Sequence, residues 1–171
     1  MINKTELNKL RSQIDKNKVY IDSIKDLKID DDKKHTMALS MSVLMEYFRV
    51  NQKMAYDSLT EGGGDNKIDA LYYSDDSDEF TELVIIQSKF KQKDGDTDTL
   101  KEDEIKLCIK SCENILSGGV FQTTNKILEQ KINNYRTLLK DNGLPPITIK
   151  LIFATNGIIH EGHKRRYAKV S

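Results

Sequence analysis

The alternation of apolar and polar positions divides the chain into helical stretches and two kinds of strand. Met37, Met41, Leu44, Met45 and Phe48 fall on one stripe at helical spacing, which predicts a buried helix over 36–50. Methionine and phenylalanine there are packing residues. Leu7, Leu10 and Ile14 predict an earlier helix that Thr5 can cap. Val19, Ile21, Ile24, Leu27 and Ile29 fit a second short helix with loop on either side, although their spacing leaves the element type open. Residues 52–61 read as a further short helix, with Met54, Ala55 and Leu59 inward and Gly62 ending it. Thr99 and Glu102 form a T-x-x-E box that opens a helix to about Leu116. A long helix over 123–140 turns Ile127, Leu128, Ile132, Tyr135, Leu138 and Leu139 inward. Asn142-Gly143 and Pro145-Pro146 stop it.

The strand signals are different in kind. Leu83-Val84-Ile85-Ile86 is a β-branched run of the sort that lies in the middle of a sheet covered on both faces. It predicts a strand over 81–90, paired as a hairpin with a strand over 67–73 through the polar turn at 74–79. Side chains alternate along a strand, so Gln87 and Lys89 share one face and Ser88 points to the other. A third strand over 147–153 returns after two helices, which predicts a parallel neighbour joined by a right-handed crossover. Helices, hairpin, helices and a returning strand together imply a three-layer α/β domain with a mixed sheet.

Length and charge narrow the picture further. With 171 residues the chain suits one domain, able to bury roughly 70% of its unfolded surface. Lys and Arg number 27 and Asp and Glu number 27, a formal net charge of zero, so any attraction to nucleic acid must be local. No stretch is long and apolar enough to span a bilayer, and Met1-Ile2-Asn3-Lys4 lacks a hydrophobic signal core, so a cytoplasmic location without membrane partners is expected. Cys108 and Cys112 lie a turn apart beside Ile105, Ile109 and Ile115, as packing thiols. With His160 or His163 they match no standard zinc spacing. No G-x-x-x-x-G-K-[ST] follows a strand, which excludes a P-loop.

The candidate chemistry sits in Gly62-Gly63-Gly64-Asp65-Asn66-Lys67-Ile68-Asp69 and in Gln87-Ser88-Lys89. Paired as a hairpin, these place Asp69, Gln87 and Lys89 at one end of the sheet. A carboxylate and an amide oxygen are hard donors that suit Mg²⁺, and an ammonium beside them can orient water or balance phosphate charge. The competing reading is an ordinary hairpin entry and a strand emerging into solvent. The spacing Asp–Gln-x-Lys resembles the PD-(D/E)XK nuclease signature in its Mrr-like form, with glutamine in the usual acidic place. The wider run GGGDNKIDALYY…LVIIQSKF, with a weaker echo at Phe153-Ala154-Thr155-Asn156-Gly157, resembles the N-terminal nuclease-like domain of the abortive infection phage resistance (AIPR) family.

That resemblance implies a restriction-endonuclease-like core and a Mg²⁺- or Mn²⁺-dependent nuclease domain in bacterial anti-phage defence. Asp69, Gln87 and the Ser88 backbone carbonyl would ligate the metal, and Lys89 would position the attacking water. Asp65 would add a supporting contact beyond those ligands, or simply form the turn. Glu46 is the position on the first core helix where many such folds place an additional acid; a solvated outer face is the alternative. Lys91 and Lys93, in the loop leaving Lys89, and the basic run Lys164-Arg165-Arg166 are candidate nucleic-acid contacts, with DNA ahead of RNA. The expected organisation is a helical extension over 1–35, a core over 36–157 and a basic segment over 158–171. AIPR-like proteins are several times longer, so the resemblance implies a domain of a longer chain, with self-association a further expectation. A non-catalytic nuclease-like module that binds nucleic acid or a partner protein is the rival function.

Overall fold

The strongest apolar run becomes the central strand. In a computed structural model of the chain, residues 4–24, 29–60, 62–74, 82–90 and 101–156 are described. Strand β1 (Ala70–Tyr73) pairs antiparallel with β2 (Glu82–Lys89), and β2 pairs parallel with β3 (Thr148–Thr155), giving the order β1-β2-β3. The mixed sheet and the parallel return follow the sequence reading. Beyond β1, an isolated bridge joins Leu59 to Ala70, and Leu71 N–H donates to Ser58 O at 2.9 Å, so residues 58–60 lengthen that edge.

Helices cover both faces, which is why the middle of β2, Leu83 to Ile86, is apolar without interruption. On one side, Ala70, Val84, Ile86 and Ala154 pack with Ile14 and Ile21 of α1 (Lys4–Asp22), with Met37, Met41 and Leu44 of α2 (Asp31–Phe48), and with Ala55 of α3 (Gln52–Asp57). On the other, Leu71, Leu83 and Ile85 pack with Cys108, Cys112 and Ile115 of α4 (Glu102–Leu116) and with Leu128, Ile132 and Tyr135 of α5 (Lys126–Asp141). Both cysteines are free and buried, as the packing reading expects, and burial pushes the Cys108 thiol up to about 12.

Several boundaries differ from the sequence reading for identifiable reasons. Val19 and Ile21 continue α1 rather than starting a separate helix, and Ile14 and Ile21 bury fully, so α1 is built into the core rather than appended to it. Helix α2 starts at Asp31, five residues before the expected start at 36, because the Asp30 carboxylate accepts from Lys33 N–H at 2.8 Å and caps it there. Its middle is buried nearly all round, Ser40 and Ser42 included, since it lies between α1 and the sheet. Strand β1 starts at Ala70 rather than 67, because Asn66 (φ 53°) and Lys67 (φ 63°) are left-handed and break the strand. Helix α4 opens at Glu102, where the Glu104 carboxylate accepts from Lys101 N–H at 3.0 Å, whereas Thr99 lies outside the described residues. Met54 and Ile127 face outward, 39% and 49% exposed.

Candidate functional site

The loop before β1 is held against the start of α5, and this sets the site. Thr123 Oγ1 donates to Gly64 O at 2.7 Å, Asn66 Nδ2 to Gln122 O at 2.9 Å, and Asn125 Nδ2 to Thr60 O at 2.7 Å. Asn125 also caps α5, its carbonyl accepting from Leu128 N–H at 2.9 Å. The contact is so close that a Cβ on Gly64 (φ 76°) would lie 1.9 Å from Thr124 Oγ1. The glycine thus answers both a left-handed backbone and a neighbouring chain. Gly64→Ala is expected to lower stability by about 1–2 kcal/mol, mostly through the backbone conformation, since the exposed Thr124 side chain can rotate away. Urea unfolding checks this, and an unchanged midpoint would show that the loop is not clamped.

The clamped loop delivers Asp69 to the end of β2. Asp69 Oδ2 accepts from Ser88 N–H at 2.6 Å, and Asp69 N–H donates to Ile86 O at 2.8 Å. Extending the β1–β2 register by one step sets Asp69 opposite Gln87. By alternation Asp69 shares the face of Leu71, and Gln87 and Lys89 share the face of Leu83 and Ile85. That is the side covered by α4 and α5. The sequence-predicted trio is therefore brought to one face at one end of the sheet. Ser88 points to the opposite side, where its hydroxyl lies 2.7 Å from that of Ser40 on α2.

Two features of this end are unusual for a fold core. Gln87 is 4% exposed, and its Oε1 is buried with no hydrogen-bond partner among the described residues. A buried acceptor left without a partner costs about 1–3 kcal/mol, so the Gln87 oxygen is one that a water or a cation can satisfy. Asp69 is the second feature. The residue keeps some exposure, yet its carboxyl is enclosed, and burial pushes it up to about 7 against the opposing Ser88 N–H bond. Asp65 adds to this as a neighbouring acid, while Lys67 and Lys33 pull the other way. Asp65 itself is raised by burial, although its Oδ1 accepts from Lys67 N–H at 3.0 Å.

Lys89 does not run free into solvent. Its Nζ lies 3.4 Å from Glu104 Oε2 on α4, and Lys67 Nζ lies 3.1 Å from Glu104 Oε1. Burial works to raise the Glu104 carboxyl, but the Lys101 N–H and the two ammonium groups outweigh it and hold the group below its usual range.

Comparison with known proteins finds no matching family model, curated protein or solved structure.

Glu46 does not join the others. It is ion-paired with Lys9 of α1 at 3.1 Å and 56% exposed. It also lies six residues beyond Ser40, about 9 Å further along α2 and away from the Ser88 contact. Glu46 thus takes the exposed position on the outer face of α2. Lys91, Lys93, Lys164, Arg165 and Arg166 lie outside the described residues. The sequence pattern assigns no role to Glu104, Lys33 or Ser40, and places Lys67 only as part of the turn. Ser40 had a visible signal, a polar residue inside an apolar helical stripe; Glu104 looked like one acid among several at a helix start.

As a donor set, the site offers the Asp69 carboxylate, the unpaired Gln87 oxygen and the nearby Asp65 carboxylate. Among the described residues no three His, Cys, Asp or Glu side chains form a metal cluster. Mg²⁺ keeps several waters and needs only one or two carboxylates from the protein, so oxygen donors of this kind fit it. No helix of the described residues is long and apolar enough to cross a membrane.

Proposed function

We propose that this chain carries a nuclease-like domain of the PD-(D/E)XK kind, with a restriction-endonuclease-like core, that hydrolyses nucleic-acid phosphodiester bonds using Mg²⁺ or Mn²⁺. The observation that carries the reading is the unpaired Gln87 oxygen buried opposite Asp69, on the sheet face that also presents Lys89. Asp69 and Gln87 would hold the cation, with the Ser88 carbonyl and Asp65 as further oxygens. When bound, the cation polarises a phosphoryl oxygen and lowers the pKa of a coordinated water. Ser88 N–H keeps the Asp69 carboxylate in place. Lys89 brings a fixed positive charge to the phosphate, where negative charge grows in the transition state. The resemblance to AIPR proteins extends the proposal to bacterial anti-phage defence.

The test is cleavage of plasmid DNA and of RNA by the purified chain, with Mg²⁺ or Mn²⁺ and with EDTA. Metal-dependent cutting supports the reading. A folded chain whose melting temperature does not respond to either metal, and which cuts nothing, sinks it. A second reading has its own support: with a neutral Gln87 and Glu46 elsewhere, the site carries one negative charge fewer than the usual acidic pair. That favours a module that binds nucleic acid without cutting it, and oligonucleotide binding without cleavage would select it.

A further inference from the structure

Among the described residues, Glu104 is a carboxylate that touches both Lys67 and Lys89. Its Oε1 meets Lys67 Nζ at 3.1 Å and its Oε2 meets Lys89 Nζ at 3.4 Å. Oε2 is also tied to the Lys101 backbone N–H at 3.0 Å, at the third position of α4, so the carboxylate cannot swing far. The two lysines come from separate elements, the loop before β1 and the end of β2. Glu104 and Lys89 are 19% and 23% exposed, so their pair is better shielded from water than an ordinary surface ion pair, whereas Lys67 is 41% exposed. A planar group with two acceptor oxygens and one negative charge, gripped by two ammonium groups beside Asp69, has the recognition chemistry of a phosphodiester.

We propose that Glu104 is a positioning residue standing in for the substrate phosphate, holding the Lys67 and Lys89 ammonium groups in place until a phosphodiester takes them over. This rests on the nuclease-like reading of the same site. Without substrate, Glu104 keeps two like charges from repelling each other and from collapsing onto Asp65 and Asp69. When a phosphate arrives, the ammonium groups exchange one anionic partner for another and no bond is made or broken. The carboxylate therefore costs binding strength, because it competes with the ligand, and contributes turnover, because Lys89 is already placed.

Glu104→Gln separates these effects, since the amide oxygen can still accept from Lys101 N–H while the charge is gone. In EDTA, the variant is expected to bind a short fluorescein-labelled oligodeoxynucleotide several-fold more tightly than the wild type. In Mg²⁺, KM falls and kcat falls by about tenfold or more. Glu104→Asp keeps the charge and is expected to bind no more tightly than the wild type. A structural role alone predicts a lower melting temperature and weaker binding. Glu104→Gln binding the oligonucleotide no more tightly than the wild type overturns the proposal. If neither chain binds the oligodeoxynucleotide or an oligoribonucleotide of the same sequence, the nuclease reading falls on its own. Inorganic phosphate, followed by ³¹P NMR, then decides this one: binding to Glu104→Gln but not to the wild type supports it, and binding to neither overturns it.

Discussion

Asp69→Ala is expected to abolish metal-dependent cleavage, and Lys89→Ala to reduce kcat by about a hundred- to a thousandfold. The Asp69 carboxylate is fixed directly to the backbone at the end of β2, through the Ser88 N–H bond, and Gln87 beside it is neutral. Removing it takes away the negative charge that would hold a divalent cation there. Lys89 is different, because it is held by Glu104 and adds positive charge rather than a ligand. Its loss should leave metal binding intact and fall on turnover. Thermal shift with Mg²⁺ distinguishes the two: the response disappears in Asp69→Ala and survives in Lys89→Ala. A wild-type cleavage rate in either variant, with the fold preserved, would remove these residues from the mechanism.

The second large effect concerns stability and its sign with pH. Asp69 has a folded-state pKa of about 7, against roughly 3.9 in an unfolded chain. Between these values the unfolded chain has released the proton while the folded chain keeps it. The folded state then binds more protons, so stability falls as pH rises from about 4 to 7 and levels off above that. The full difference is up to about 4 kcal/mol, reduced by whatever water reaches the carboxyl. Asp69→Asn keeps an acceptor for Ser88 N–H and deletes the charge. It should therefore be more stable than the metal-free wild type at pH 8, with the advantage vanishing near pH 4. Urea unfolding across that range in EDTA measures it. A constant offset between the two chains would show that the carboxyl is not enclosed as the structure has it. Saturating Mg²⁺ at pH 8 should narrow the gap by stabilising the wild type alone.

These predictions lean on features that were unevenly visible in the sequence. The central strand, the hairpin, the parallel return and the shared face of Gln87 and Lys89 were legible, because strand alternation and a doubly covered apolar run leave a direct imprint on residue type. The start of α2 does not follow from the apolar stripe, because capping by Asp30 decides where the helix begins. The extent of β1 was overread, since nothing in Asn66-Lys67 announces two left-handed residues stabilised by Asp65 and by contacts from distant loops.

The site shows the same division. By itself the sequence determined which chemical groups lie on one face of one strand, because that depends on parity along a few bonds. It determined too that Asp69 follows a glycine-rich turn. Only the tertiary structure decided that Asp69 binds the Ser88 N–H, that the Gln87 oxygen is buried unpaired, that Glu104 grips Lys67 and Lys89, and that Glu46 pairs with Lys9 instead. Each of those contacts joins residues far apart in the chain, or depends on burial under the layer of α4 and α5. Their existence follows from how the two layers settle on the sheet, which no local pattern encodes.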